Sequence, residues 1–504
     1  MSESGDLLLD PALAEAYVVA GDIAMDAALA RWLAAGWRVW IPVGSVGALG
    51  AAALAESARA RLTELTTRCC WLAALADESA ALADPSPRHR QIELALARLG
   101  AAARLLTRDR GYAARGVRAC APEEAIALAV TAPPLPFIDL ASQQDRLRGA
   151  IERRLHAVLR HGHYIMGPEI VELESALARY VGVAHAITVA SGTDSLEIAL
   201  RALGVGHGDE VITVPFTWIS SGEVIGLVGA QPVFVDIEPT SFNLDPALLE
   251  GAITARTKAI LPVNLFGQMA DYETINAIAA RHGIPVIEDA AQSFGATRHG
   301  RRSCSASVIS STSFFPAKPL GCYGDGGALF TDDDTLAAKM RAIRTHGGER
   351  HHHPHLGMNR RLDTIQAAVL LAKLESWENE VLARNRIGAR YTEALRGLVG
   401  VPAVLPGNTH VYAQYTIRSP QRDALAARLA AAGVPTAVYY PKCLHEQPVF
   451  APCGYGPGDF PESERASREV LSLPMHADLD QSLQDRIIAA VSRAISTLSI
   501  AESA

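Results

Sequence analysis

The chain has 504 residues, a formal net charge of −8 and 20% charged residues, a length that predicts more than one domain. The acid excess argues against a general nucleic-acid or membrane-surface binder, which carries a basic excess. Seven scattered cysteines without CxxC spacing predict neither a disulfide framework nor a zinc site. No apolar run reaches the roughly 18 residues of a membrane span. Met1 to Asp10 carries acids where a basic leader would stand, so a soluble protein of the reducing cytoplasm is expected.

Residues 1–130 are rich in Ala, Leu and Arg, with helical periodicity at Ala48–Leu65 and Gln91–Leu99. Apolar strands are expected at Asp6–Leu9, Arg38–Val43 and Arg104–Thr107, making a small α/β domain. The segment from Leu94 to Tyr112, followed by Gly116-Val and Pro122-Glu-Glu, resembles the carboxyl-terminal part of a PIN-type nuclease domain. In that family strand-end carboxylates hold divalent metal for phosphodiester hydrolysis. Asp10 and Asp109 match the first and last acids, but Ser45, Ala48 and His89 stand at or near places where others belong. Half a ligand set binds metal weakly, so the domain reads as a degenerate PIN-like appendage for regulation or assembly. An active nuclease is the alternative.

Thr131-Ala-Pro-Pro-Leu-Pro-Phe, residues 131–137, is a stiff connector and the expected domain boundary. A large domain over 138–385 and a smaller α+β lobe over 386–504 should follow. The large domain reads as a helix to Arg160, a helix over Glu169–Tyr180, then alternating helices and strands. The strands are expected at Ala186–Val189, Glu210–Val214, Gln231–Val235, Lys258–Val263, Pro285–Ile287 and Ser307–Ser313. Such alternation predicts a mostly parallel sheet covered on both faces. A long helix is expected from Leu362 to about Leu395, with small-lobe strands at Val411–Arg418 and Pro435–Tyr440.

The chemistry concentrates around Ser310–Thr331. Lys318 lies between a hydroxyl-rich strand end and a glycine-rich turn, where desolvation lowers an amine's pKa and frees it as a nucleophile. Asp289 is expected at the carboxyl end of the preceding strand, where α/β sheets bind ligands. A Schiff-base lysine with an aspartate for a pyridinium nitrogen points to pyridoxal phosphate. Ser191-Gly-Thr-Asp opens a helix whose amides, with the Ser191 and Thr193 hydroxyls, suit a phosphate. Trp218 is a candidate to stack on the ring. Gln292 lies one helical step from Asp289, and Ser313 five residues before Lys318. Arg344, His346, Arg350 and His351–His353 form a cationic loop suited to a diphosphate or sugar carboxylate. The adjacent histidines lack ligand spacing, so no metal site is expected.

These residues, in this order, resemble the DegT/DnrJ/StrS family of PLP-dependent sugar-nucleotide aminotransferases over roughly 136–497. The motifs are Ile165-Met-Gly-Pro-Glu, Ser191-Gly-Thr-Asp-Ser-Leu, Gly208-Asp-Glu-Val-Ile, Glu288-Asp-Ala-Ala-Gln-Ser, Ser313-Phe-Phe-Pro-Ala-Lys-Pro-Leu-Gly, Gly326-Gly-Ala and Asn359-Arg-Arg-Leu-Asp-Thr-Ile-Gln. The resemblance implies an α/β fold of PLP-dependent type I, like aspartate aminotransferase. It implies Lys318 as Schiff-base residue, Asp289 on the ring nitrogen, Gln292 near the ring oxygen and Trp218 on the ring face. Gly192, Thr193 and Ser313 then hold the phosphate, joined by Asn359 from the second subunit of a homodimer. Gly300-Arg-Arg-Ser-Cys, Thr345-His-Gly-Gly-Glu-Arg and Tyr412-Ala-Gln-Tyr-Thr are similar to the subgroup acting on UDP-2-acetamido-2-deoxy-ribo-hex-3-uluronate. Glutamate is then the donor, 2-oxoglutarate its product and surface polysaccharide the destination, with Arg344, His346, Arg350 and Tyr440 toward the substrate. Another keto-sugar nucleotide is the alternative. Family members that dehydrate sugars have histidine in place of the lysine, and Lys318 argues against them.

Overall fold

The computed structural model describes residues 135–502 and five short strands before them, and the chain divides into two compact units, Met1–Pro134 and Leu135–Ala504. In the first unit β1 (Asp6–Leu9), β2 (Arg38–Pro42), β3 (Cys70–Leu72), β4 (Arg104–Leu106) and β5 (Ala119–Cys120) form one sheet in the order β3-β2-β1-β4-β5. All its pairings are parallel. Three of these strands stand where apolar runs predict them. β3 and β5 were not expected. The helical stretches at 48–65 and 91–99, and Asp10, Ser45, Ala48, His89 and Asp109, lie outside the described residues.

The second unit begins with α1 (Leu140–His161), started by Asp139, whose side chain accepts from the Ser142 amide, and ended by Gly162 at φ 71°. A left-handed residue at that position ends a helix without strain only when it has no Cβ. α2 (Pro168–Val181) follows. Then come β6 (His185–Val189), α3 (Gly192–Ala202), β7 (Glu210–Thr213), α4 (Ser220–Leu227), β8 (Gln231–Phe234), β9 (Thr257–Ile260), α5 (Tyr272–Arg281) and β10 (Ile287–Asp289). A hairpin of β11 (Thr297–Arg298) and β12 (Arg301–Arg302) leads to β13 (Ile309–Ser313) and β14 (Gly327–Thr331). The strands make two ladders, β8-β7-β9 and β10-β13-β14-β6. Parallel bridges Ile260 to Val286 and Val263 to Asp289 join them.

β14 is antiparallel to both neighbours, which corrects the strand list read from sequence. All of Gly327–Thr331 is buried, so the strand shows no alternation, and nothing local marks a buried apolar run as strand or helix. The long helix expected over 362–395 is two: α7 (Thr364–Leu374) and α8 (Trp377–Leu395), after α6 (Asp334–Arg344). At the break Trp377 is 1% exposed, its ring 6.0 Å from Phe294. In the small lobe β15 (Tyr415–Arg418) pairs antiparallel with β16 (Val470–Leu473). α9 (Arg422–Ala431), α10 (Pro461–Glu469) and α11 (Gln481–Glu502) accompany them, and a separate cluster around Tyr391, Tyr415, Leu429 and Val491 forms the lobe's core. The expected strand at Pro435–Tyr440 is reduced to one bridge, Ala437 to Ser472. Tyr440 instead turns its hydroxyl to the Gln292 amide at 3.2 Å.

At the end of β10 adjacent acids face opposite ways, as strand alternation requires. Glu288, 0% exposed, accepts from Asn264 Nδ2, Ser303 Oγ, the Cys304 and Ala306 amides and Ser310 Oγ at 2.8–3.0 Å. The hydroxyls of β13 divide likewise: Ser310 serves Glu288, Ser311 meets Ser195 of α3 at 2.5 Å, and Thr312 donates to the Ala290 carbonyl. Glu288→Ala strands those donors in a dry interior and should cost about 3 kcal/mol or more, read as a lower urea midpoint. A loss below about 1 kcal/mol would contradict the role given to this carboxylate.

Candidate active site

Asp289, the next residue, opens on a cavity of about 360 Å³ at the carboxyl ends of the strands. Gly192, Thr193, Trp218, Asp289, Gln292, Ser313, Lys318 and Tyr440 all line it. The structure thus gathers eight residues drawn from separated motifs. At one end, the first turn of α3 leaves amides without intrahelical acceptors. Ser191 Oγ accepts from the Asp194 amide, while Gly192 and Thr193 lie on the wall, with Thr193 Oγ1 2.9 Å from Ser220 Oγ. A Cβ on Gly192 would fall 2.7 Å from Ser313 Cβ, and one on Gly327 would fall 2.5 Å from the Ser191 carbonyl oxygen. The glycines let this turn pack against Ser313 and β14 with no room for a Cβ, and its free helix-start amides suit an anion.

Asp289 is 4% exposed. Its Oδ2 accepts from Ser221 Oγ at 2.9 Å and its Oδ1 from the Ala291 amide at 3.1 Å. Burial raises its pKa, against the Ala291 and Ser221 donors and the charge of Lys318. Burial lowers the pKa of Lys318, opposed by the charge of Asp289. Gln292 holds its carbonyl oxygen on the Phe266 amide at 2.9 Å and its amide on Tyr440. Both ends of Gln292 are therefore committed within the protein. Trp218 is 56% exposed, its ring 5.8 Å from that of Tyr440.

The cationic loop is not on this cavity. Arg344 is 4% exposed, with Nη1 2.6 Å from Glu174 Oε1 and 2.9 Å from the Thr188 carbonyl oxygen. That places it inside the fold, tying α6 to α2 and β6, and removes it from the substrate-facing set. His346 and Arg350 are exposed, and Asn359 pairs by a bridge with Thr345, off the wall of its own chain's cavity. Phe137, Thr217, Ser221, Phe315, Asp325, Gln414 and Tyr439 also line the cavity and were not singled out in the sequence. Ser221 had a signal: it sits one helical turn from Thr217, beside Trp218.

An anion cradle, a half-buried amine and an oriented carboxylate fit the phosphate, aldehyde and ring nitrogen of pyridoxal phosphate. A covered α/β sheet carrying that set at its strand ends defines a transferase of the aspartate-aminotransferase type. Residues 145–492 match the profile of the DegT/DnrJ/EryC1/StrS aminotransferase family, and the chain belongs to that family. It is 53% identical over 359 residues to the UDP-2-acetamido-2-deoxy-3-oxo-D-glucuronate aminotransferase of Pseudomonas aeruginosa, covering 71% of this chain and 99% of the relative. It is 41% identical to the dTDP-3-amino-3,4,6-trideoxy-alpha-D-glucose transaminase of Streptomyces venezuelae, covering 71% and 96%. Among solved structures, a DegT DnrJ EryC1 StrS aminotransferase from Brucella abortus matches with TM-score 0.69 and 45% identity, covering 71% and 99%. NtdA from Bacillus subtilis, with bound cofactor PMP, matches with TM-score 0.66 and 31% identity, covering 72% and 85%.

The cradle can be tested by filling it. Gly192→Ala should weaken pyridoxal phosphate binding roughly tenfold or more, since overpacking costs about 1–3 kcal/mol. Fluorescence titration would measure this, and affinity within about twofold of wild type would contradict the assignment.

Proposed function

We propose that this protein moves an amino group from glutamate to C3 of a UDP-linked 2-acetamido-2-deoxy-3-keto-hexuronate. The product would serve bacterial surface polysaccharide synthesis. The observation that carries the reading is the meeting of Lys318, Asp289 and the α3 cradle in one cavity, in a chain 53% identical to an enzyme named for that substrate class. Bound there, pyridoxal phosphate supplies an electron sink that lets an amino group leave one substrate and join another.

The residues divide the remaining work. Lys318 holds the cofactor and, once released, moves a proton to and from the substrate carbon; desolvation, by lowering its pKa, makes the amine available as that base. Asp289 keeps a proton on the ring nitrogen, where charge accumulates. Gly192, Thr193 and Ser313 receive the phosphate on the positive end of α3, with Asn359 reaching in from a second copy in a homodimer. Trp218 covers a ring face. Gln292 fixes Tyr440, which faces the substrate side, and exposed His346 and Arg350 are available to a diphosphate or a sugar carboxylate of the neighbouring site.

We assign the activity to the second unit, which contains the whole of the family match; the first unit is read as a degenerate PIN-like appendage. The unpaired Cys304, Cys322, Cys443 and Cys453 suit a reducing cytoplasm. Among the described residues no helix is long and apolar enough to cross a membrane.

Borohydride reduction of the loaded protein followed by peptide mass mapping tests the central residue. The cofactor should be found on the peptide carrying Lys318. Lys318→Ala should carry none and lose turnover by more than about a hundredfold. A label on another lysine, or an active Lys318→Ala, would refute the assignment.

A further inference from the structure

Asp289 can hold a ring-nitrogen proton only while it is itself a carboxylate, and its burial pushes the other way. The obvious counter-charge is Lys318, but that amine must lose its proton to act as a nucleophile and base. It is therefore no permanent partner. Among the described residues, the donors on Asp289 are the Ala291 amide, which any side chain at 291 would supply, and one side chain, Ser221.

Ser221 is 1% exposed and Thr217 2% exposed. Their hydroxyl oxygens are 3.3 Å apart across one turn at the start of α4. If Thr217 donates, the proton of Ser221 is left to point at Asp289 Oδ2. With Oδ1 on Ala291 and Oδ2 on Ser221, the carboxylate plane is fixed, and the remaining acceptor positions are left for the cavity. Hydrogen bonds to a charged acceptor stabilise it more than neutral ones do.

We propose that Ser221 is a positioning residue that holds Asp289 as an oriented carboxylate for the cofactor's ring nitrogen, with Thr217 aligning the Ser221 hydroxyl. This rests on the cofactor reading above. The charge that acts on Asp289 is Lys318, from the loop after β13; Asp289 in turn raises the pKa of Tyr440 from the small-lobe segment, Tyr272 from α5 and Cys304 after β12. Burial raises the pKa of both tyrosines and of Cys304, whereas it raises that of Asp289 and lowers that of Lys318, which brings the acid and the amine toward each other.

The sign follows. Ser221 favours the charged form and so lowers the pKa of Asp289. Removing it lets Asp289 protonate at a higher pH, and the acid limb of cofactor binding should move upward.

The experiment is a titration of pyridoxal phosphate into wild type, Ser221→Ala, Ser221→Thr and Thr217→Val across pH, with the dissociation constant read by fluorescence. Ser221→Ala should weaken binding roughly tenfold at neutral pH and raise the acid limb by about one pH unit. Ser221→Thr, which keeps the hydroxyl, should restore both. Thr217→Val, which keeps the shape, should lie between. If Ser221→Ala does not fold, Thr217→Val and Ser221→Cys, a weak donor, carry the same comparison. A uniform loss of affinity with no shift of the acid limb, or wild-type behaviour of the folded variants, overturns the proposal. Failure of the wild type to bind the cofactor at all overturns the functional reading first, and this inference with it.

Discussion

Two carboxylates on successive residues at the end of one strand set the terms for the whole site. Strand geometry turns Glu288 and Asp289 to opposite sides of the sheet, and the protein treats the two sides differently. Glu288 receives five donors in a sealed interior and ties the end of β10 to β13 and to the turn at 303–306. Asp289 receives two and keeps the cavity for its remaining contacts. A buried acid with a full set of donors is rigid, and that rigidity aims its neighbour.

The same economy of donors explains the hydroxyl-rich β13. Ser310, Ser311 and Thr312 each satisfy a different buried group, on Glu288, α3 and the chain after β10, and only Ser313 is left to the cavity. Lys318 follows in a loop held by the Lys318 amide on the Phe315 carbonyl and the Cys322 amide on that of Phe314. Lys373, 2% exposed, donates to the Gly321 carbonyl at 2.7 Å and steadies the loop from behind. Among the described residues the Lys318 amine, proposed as the reactive group, is thus short of partners, while the groups around it are well supplied.

Much of this was legible in the chain, and the reason is locality. Lys318, Asp289 and the Ser191-Gly-Thr turn each sit beside a motif that fixes their own backbone. The parallel strands announce themselves as apolar runs between helical periodicities. What escaped depends on distant partners. Whether Leu362–Leu395 is one helix or two turns on where Trp377 finds a pocket, beside Phe294. Pro435–Tyr440 has the composition of a strand, yet Tyr440 is held by Gln292, 148 positions earlier. Arg344 reads as one of a row of loop cations until Glu174, 170 positions away, is seen to hold it. Ser221 is an ordinary hydroxyl until the fold sets Asp289 above it.

The substrate end follows from what the cavity leaves open. In the proposed reading, cradle, carboxylate and amine hold the cofactor, and the wall of Phe137, Tyr439, Tyr440 and Gln414 is left for the group that exchanges nitrogen with it. The most direct measurement is to supply ¹⁵N-glutamate and the UDP-linked 3-keto-hexuronate and to examine the sugar nucleotide by mass spectrometry and NMR. The account predicts ¹⁵N at C3 of the sugar, with 2-oxoglutarate formed in equal amount. Formation of 2-oxoglutarate without label in that sugar would leave an aminotransferase with a different acceptor. No transfer from glutamate to any keto-sugar nucleotide would contradict the account itself.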